Sequence, residues 1–99
     1  MYKVEHLPEA ITDIFEIEEY LNQYSLAAAD RFVETLDERA VTLAKLPYIW
    51  PVYEQDSFFR RMVIGDYLLF YSVDESRKLV IIHRIFHHSR DIDRRMMER

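Results

Sequence analysis

The sequence predicts a two-layer α+β domain, in which a helical hairpin covers one face of an antiparallel sheet of three to four strands. Two patterns favour this fold class. Apolar residues recur every three or four positions between residues 7 and 46, as in amphipathic helices, and they alternate or run together between residues 58 and 86, as in strands. A chain of 99 residues has the usual length of one domain, so residues 1–99 are expected to fold as a single unit.

The first elements are a short strand and an amphipathic helix. Alternating residues within Met1–His6 favour the strand, and Pro8 suits the first turn of the helix, where its missing N–H is not required. The residues that we place on the buried face of this helix are Leu7, Ala10, Ile11, Ile14, Ile17, Leu21 and Tyr24. Those that we place on its solvent face are Glu9, Asp13, Glu16 and Glu19.

A second amphipathic helix follows almost directly. Ser25 is a suitable residue to cap its first turn, and Pro47 ends it because proline cannot continue the hydrogen-bond ladder. Its apolar stripe is Leu26, Ala29, Phe32, Val33, Leu36, Ala40, Leu43 and Leu46. Because few residues separate the two helices, we expect them to form an antiparallel hairpin.

Three strands are predicted after a loop. The loop, Pro47–Ser57, contains two prolines, and the polar tail, His87–Arg99, is expected to be helical or frayed. Gly65 and Asp66 have the composition of a two-residue hairpin turn. The strands are Phe58–Ile64, Tyr67–Val73 and Leu79–Phe86. The predicted order of elements is therefore β-α-α-β-β-β.

The composition excludes several classes of protein. A hydrophobic fraction of 49% excludes general disorder, and the lack of cysteine excludes a disulfide scaffold, a thiolate metal site and a cysteine nucleophile. No apolar run reaches the roughly 20 residues that a membrane span needs, and the start shows no signal-peptide pattern. We therefore expect a small soluble cytoplasmic domain.

Charge is distributed unevenly along the chain. Met1–Asp56 contains 12 acidic and 4 basic residues, whereas Ser57–Arg99 contains 6 acidic and 9 basic residues. This asymmetry indicates that any polyanion would meet the C-terminal half. The alternative is that both sets of charges simply lie on solvated surfaces.

The densest group of polar residues lies at the end of the last predicted strand. It comprises His83, Arg84, His87, His88, Ser89, Arg90 and Asp91. An RNA-cleaving site needs a base for the 2′-hydroxyl, an acid for the leaving oxygen and cations for the transition-state charge. The residues of suitable type, which are also candidates for contacting a target, are His87, His88, Arg84, Arg90 and Arg60.

A structural interpretation of the same residues is open as well. Arg84 and Asp91 would then be partners in an ion pair, and the histidines would be ordinary surface residues. If the strand alternates regularly, one face carries Arg84, Phe86 and His88, and the other carries His83, Ile85 and His87.

We expect no metal ion and no cofactor. His83 and His87 have a metal-ligand spacing for a helix only, and their segment reads as a strand. A chain with one glycine cannot form a glycine-rich phosphate loop.

Aromatic residues are concentrated in and beside the predicted loop. They are Tyr48, Trp50, Tyr53, Phe58 and Phe59. We expect roughly three of them to fill the core and the rest to offer a surface to a partner protein.

Several short stretches, taken in order, resemble the RelE/ParE superfamily, the toxins of bacterial type II toxin–antitoxin modules. They cover nearly the full chain: Leu7-Pro8-Glu9-Ala10, Ala28-Ala29-Asp30-Arg31-Phe32, Leu46-Pro47, Phe59-Arg60, Gly65-Asp66-Tyr67-Leu68-Leu69-Phe70-Tyr71, Arg84-Ile85-Phe86-His87 and Arg90-Asp91. The resemblance implies a helical hairpin packed on a small antiparallel sheet. It also implies a growth-inhibiting toxin that a cognate antitoxin neutralises in a hetero-oligomer.

The resemblance leaves two mechanisms open. RelE-like members cleave mRNA in the ribosomal A site, whereas ParE-like members inhibit DNA gyrase. This chain has Leu68 where RelE-like cleavers carry a basic residue, and it has no tyrosine after Tyr71. The resemblance therefore favours the ParE-like subgroup, with a ribosome-dependent endoribonuclease or a non-toxic antitoxin-binding module as the alternatives. Whether the chain is an enzyme depends on that choice.

Overall fold

The computed structural model describes residues 1–89 and 91–97 of the chain. Eight elements follow one another within these residues, namely β1 (Lys3–His6), α1 (Pro8–Asn22), α2 (Leu26–Lys45), β2 (Val52–Tyr53), β3 (Asp56–Ile64), β4 (Tyr67–Asp74), β5 (Leu79–His87) and α3 (Ile92–Met97). The predicted β-α-α-β-β-β order is confirmed, and β2 and α3 are added to it.

The sheet has five strands in the order β1-β5-β4-β3-β2, so the prediction of three to four strands was too low. It is also mixed, because β1 runs parallel to β5 while the other neighbours are antiparallel. No hairpin connects β1 to β5, so nothing local forces an antiparallel pairing. β2 has only two residues, Val52 and Tyr53, which is too short for a periodic signal within the predicted loop.

The helical hairpin covers one face of this sheet, which confirms the predicted α+β class. Ser25 caps α2 as expected, since its Oγ accepts a hydrogen bond from the Ala28 N–H at 3.2 Å. The main core lies between the hairpin and the sheet and includes Ala10, Ile17, Phe32, Leu36, Leu43, Met62, Ile64, Leu69, Tyr71, Val80, Ile82 and Ile85. Within the described residues, neither long helix is apolar enough over its length to cross a lipid bilayer.

Part of the predicted buried stripes is exposed instead. The exposed members are Ile11 (45%), Tyr24 (73%), Leu26 (70%) and Leu46 (56%). Tyr24, Leu26 and Leu46 lie at or just beyond helix ends, where the hairpin no longer faces the sheet. Ile11 lies on α1 but does not belong to the main core.

A second, smaller core lies on the other face of the sheet. It consists of Tyr53, Phe59, Phe70, Phe86 and Met96. Met96 and the half-buried Ile92 belong to α3, so the C-terminal helix packs on the face that the hairpin leaves open. The polar tail is thus helical in part, in agreement with one of its two predicted states.

A β-bulge interrupts the alternation of β5. Phe70 pairs with Arg84 and Tyr71 pairs with Ile82, which leaves His83 as an extra residue in β5. His83 therefore contacts Phe59 of the second core, with ring centroids 5.0 Å apart, while Ile85 belongs to the main core. The prediction that His83 and Ile85 share a face is wrong, because regular alternation stops at the bulge.

Candidate functional site

A pocket of about 310 Å³ lies where β5 ends, bordered by α1, β4 and α3. The polar side chains that line it are Asp13, Glu16, Tyr20, Tyr67, His87, Ser89 and Arg95. Burial raises the pKa of the Tyr67 hydroxyl. The pocket combines two carboxylates from α1 with a guanidinium from α3, so both signs of charge meet at this end of the sheet.

His87 is the best-positioned of the predicted histidines. Its ring packs edge-on against Tyr67 at 5.5 Å and stacks on His88 at 4.6 Å. Its Nδ1 lies 2.6 Å from the Ser89 Oγ and accepts a hydrogen bond from the Ser89 N–H at 3.1 Å. An acceptor role for Nδ1 assigns the proton of the neutral ring to Nε2. His87 therefore presents an N–H donor at Nε2.

Arg84 is bound inside the domain. Its Nε and Nη2 donate to the Asp13 carboxylate at 2.8 and 3.0 Å, and this hydrogen bonding raises the pKa of Arg84 further. Asp13 Oδ2 also accepts a hydrogen bond from the Ile85 N–H at 2.9 Å. Because β1 pairs with β5 only as far as Ile82, Asp13 takes the place of a neighbouring strand at the free edge of β5.

These contacts correct two expectations. Asp13 is only 6% exposed and does not lie on the solvent face of α1. The partner of Arg84 is Asp13 and not Asp91. The sequence did contain a signal for Asp13, since it lies three residues after Ala10 and four before Ile17, both of which are buried.

Arg60 lies away from the histidines. Its Nη1 donates to the backbone carbonyl oxygens of Trp50 and Tyr48 at 2.6 and 3.3 Å, and its guanidinium lies over the Tyr48 ring at 4.9 Å. Arg60 pairs with Tyr71 of β4, whereas His87 pairs with Tyr67. These two tyrosines are four residues apart, about 13 Å along the strand. Arg90, another candidate, lies outside the described residues.

The pocket also contains residues that sequence reasoning missed. Arg95 lies 5.1 Å from the centre of the Phe86 ring, and its buried Nε has no hydrogen-bond partner among residues 1–89 and 91–97. Glu16 reaches the pocket from α1, and Ser89 fixes His87. No pattern in the sequence of the polar tail predicts that Arg95 lines the pocket, because its place there depends on how α3 packs over the sheet.

The arrangement can both donate and accept hydrogen bonds, because Asp13 and Glu16 line the same pocket as its donors. The Nε2 of His87, the guanidinium of Arg95 and the hydroxyls of two tyrosines are its donors. Among the residues that the structure describes, no group of three or more His, Asp or Glu side chains could hold a metal ion.

The aromatic residues of the loop region divide as predicted between core and surface. Tyr53 and Phe59 are buried at 4% and 0% exposure, and Trp50 is half-buried against the main core. Tyr48 and Phe58 are 49% and 57% exposed. Phe58 lies on β3 and Tyr48 lies in the loop between α2 and β2, and neither residue lines the pocket.

Comparisons with solved structures find the same fold in bacterial toxins. The toxin of a chromosomal ParDE system from Pseudomonas aeruginosa has a TM-score of 0.71 and 16% identity over 88% of this chain and 96% of that chain. Isolated Escherichia coli RelE has a TM-score of 0.65 and 13% identity over 99% and 97%. A chain of the Mycobacterium tuberculosis RelBE2 complex has a TM-score of 0.60 and 23% identity over 87% and 90%.

Sequence comparison identifies the family. No curated protein is a significant match to the chain. The sequence model described as "ParE toxin of type II toxin-antitoxin system, parDE" matches residues 4–92. This match covers every element from β1 to the start of α3. The chain therefore belongs to the RelE/ParE superfamily of type II toxin–antitoxin toxins.

Proposed function

We propose that this toxin stops bacterial growth in the ParE manner, by binding DNA gyrase, and that it does not cleave mRNA. The observation that carries the proposal is the engagement of its best catalytic candidates inside the domain. Arg84 is held by Asp13, and the Nδ1 of His87 is held by Ser89. Because internal hydrogen bonds hold these side chains, we interpret the end of β5 as a surface that contacts another protein.

RNA cleavage would require a free general base and a free cation at this site. A general base for the 2′-hydroxyl needs a free lone pair, and a neutral His87 with its proton on Nε2 offers a donor there instead. A cation for the transition state must reach the phosphate, whereas the Arg84 guanidinium is occupied by a carboxylate. The half-buried Leu68 supplies no charge at the position where RelE-like cleavers carry a basic residue.

The proposal includes a cognate antitoxin. Two of the matched solved structures are toxin–antitoxin complexes by their descriptions, RelBE2 of M. tuberculosis and RelBE of E. coli. In this chain, exposed rings such as Phe58 and Tyr48 offer the kind of apolar anchor that protein partners use.

A ribosome-dependent endoribonuclease is the second candidate. The stacked pair His87 and His88 favours it, together with Arg95, whose Nε has no partner within the part of the chain that the structure describes. In that case the substrate phosphate would have to bind Arg95 and displace Ser89 from the Nδ1 of His87.

Two assays separate the candidates. We expect the purified protein to inhibit supercoiling of relaxed plasmid by DNA gyrase and to leave translated mRNA intact in primer-extension reactions. Inhibition should disappear when the product of the neighbouring antitoxin gene is added first. New primer-extension stops with unimpaired supercoiling would contradict the proposal and support the endoribonuclease.

A growth assay tests the remaining alternative. Induction of the chain alone should stop colony formation, and co-expression of the neighbouring gene should restore it. Normal growth on induction, together with a stable complex, would identify a non-toxic antitoxin-binding module.

A further inference from the structure

The pocket at the end of β5 contains two opposite charges that are not paired with each other. Arg95 of α3 and Glu16 of α1 both line it. Among the described residues, neither side chain forms an ion pair. The other carboxylate of the lining, Asp13, is neutralised by Arg84 at 2.8 Å. The pocket therefore offers one cation and one anion to a ligand.

The cation also has a donor that lacks an acceptor. The Nε of Arg95 is buried and has no hydrogen-bond partner within residues 1–89 and 91–97, and the guanidinium lies 5.1 Å from the centre of the Phe86 ring. Buried donors in folded proteins nearly always have an acceptor. A carboxylate matches a guanidinium well, because its two oxygens can accept two parallel N–H bonds. Arg95 therefore indicates a ligand that carries a carboxylate.

The remaining walls of the pocket are apolar or aromatic. Ile17, Ile85 and Phe86 are each at most 9% exposed, and the rings of Tyr20 and Tyr67 complete the lining on α1 and β4. The volume of about 310 Å³ lies at the lower end of the roughly 300–1,000 Å³ that is typical of small-molecule sites. The pocket is thus suited to a small ligand with an apolar body.

We propose that this pocket binds a free α-amino acid with an apolar or aromatic side chain, in its zwitterionic form. Its carboxylate would accept hydrogen bonds from Arg95, and its ammonium group would pair with Glu16. Its side chain would pack against Ile17, Ile85 and the ring of Tyr67. This inference goes beyond the proposed function and does not depend on the target of the toxin.

Ligands with only one of these features match the pocket less well. A lone anion such as phosphate would be repelled by Glu16, and a lone cation would be repelled by Arg95. A neutral apolar molecule would leave the Arg95 donor without an acceptor. A short peptide shares the chemistry of an amino acid, but its two charged ends are further apart.

The proposal can be tested by NMR on the full chain labelled with ¹⁵N. The probe is L-phenylalanine, and we expect it to shift the backbone amides of Ile17, Ile85 and Ser89 with a dissociation constant of the order of 1 mM. Phenylpropanoate lacks the ammonium group and phenethylamine lacks the carboxylate, so both should bind more weakly. Inorganic phosphate and the dipeptide phenylalanylglycine are titrated in the same way.

Two variants assign the charged groups of the ligand to their partners. Arg95→Gln should weaken the binding of L-phenylalanine and phenylpropanoate by about tenfold and leave phenethylamine unchanged. Glu16→Gln should weaken L-phenylalanine and phenethylamine by about two- to fivefold, because this carboxylate is exposed, and leave phenylpropanoate unchanged. The matched controls are Arg94→Gln and Glu19→Gln, which remove the same charges from exposed residues outside the pocket. The amide spectrum of each variant shows whether it is folded.

The binding order on the wild-type chain decides the proposal even if a variant fails to fold. L-Phenylalanine that binds no more tightly than its two analogues, or that shifts no amide of the pocket, would overturn it. Tighter binding of phosphate would assign the pocket to an anion, and tighter binding of the dipeptide would assign it to a peptide. Equal weakening in the control variants would also contradict it. Failure to inhibit gyrase would contradict the proposed function alone, because the NMR titrations do not depend on toxicity.

Discussion

The polar side chains at the two ends of the sheet differ in their internal hydrogen bonding. Where β4 turns into β5, Glu75 accepts hydrogen bonds from Tyr2 and Tyr48 and pairs with Lys78, so a single carboxylate joins three parts of the chain. At the opposite end, the pocket beside His87 contains the Nε of Arg95, which has no hydrogen-bond partner among the described residues. One end uses its polar groups to hold the fold together, and the other leaves several of them available to a ligand.

The difference follows from what each end has to close. The Glu75 end fixes the loop 47–51 against β1 and the β4–β5 turn, and Arg60 and Tyr71 hold the same loop through its backbone carbonyl oxygens. The pocket end is closed by Asp13 on the edge of β5 and by the short α3, which leaves a cavity between them. The predictions below test this difference between the two ends of the sheet. They begin with the substitution from which we expect the largest loss of stability.

Asp13→Ala should cause the largest loss of stability. It removes the partner of Arg84 and the acceptor for the Ile85 N–H at a nearly buried position, which typically costs about 3 kcal/mol. The measurement is urea unfolding. Glu16→Ala, three residues further along α1 and exposed, is the control and should change the free energy of unfolding by less than about 0.5 kcal/mol. A small effect of Asp13→Ala would show that the edge of β5 needs no closure.

Tyr71→Phe should have the next largest effect, at the other end. The buried Tyr71 hydroxyl donates to the Pro47 carbonyl oxygen at 2.8 Å, so its removal leaves that carbonyl unpaired and costs about 1–2 kcal/mol. Tyr2→Phe removes a hydroxyl that is exposed in its contact with Glu75 and serves as the matched control. If both variants lose the same stability, burial is not what makes the Pro47 contact important.

Glu75→Gln should change the pH dependence of stability more than its value at neutral pH. Hydrogen bonds from Lys78, Tyr48 and Tyr2 lower the pKa of Glu75 to about 2. A lowered folded-state pKa gives stability that is present above the usual value of 4.5 and is lost as pH falls towards 2. Thermal melts of the variant between pH 2 and pH 5 should therefore vary less than those of the wild type. Parallel curves would mean that Glu75 does not link the three segments.

The sequence predicts the helices and the long strands better than it predicts the polar contacts at the two ends of the sheet. The helices and long strands were predictable because residues such as Phe32 and Leu69 repeat with a clear period. The Glu75 network was not, since Tyr2 and Glu75 are 73 residues apart in the sequence. Long-range polar contacts leave no periodic signal in the sequence.

The sequence predicts which residues the candidate site contains but not which contacts they make. The sequence identified His87 and His88 at the end of a strand, and the structure places them together. It could not show that Arg84 is held by Asp13 of α1, because 71 residues separate the two. It also could not show that Arg60 is held by the carbonyl oxygens of loop 47–51, away from the histidines. Arg95 reached the pocket only through the packing of Met96 on the second core.

The smallest effect on stability is expected from His87, because the ring is partly exposed and its polar bonds are to the adjacent Ser89. His87→Ala should change the free energy of unfolding by about 0.5 kcal/mol or less while reducing growth inhibition. His6→Ala, on β1, is the control and should keep full toxicity. Full toxicity of His87→Ala would remove His87 from the target-contact surface.

His87→Gln distinguishes the two roles that this side chain could have. The glutamine amide keeps an N–H donor but cannot act as a base near neutral pH. If His87 contacts gyrase through its Nε2–H, Gln should retain part of the growth inhibition that Ala loses. If His87 is the base of an endoribonuclease, Gln and Ala should be equally inactive. The pair of substitutions thus tests whether the open end of the sheet serves to bind or to react.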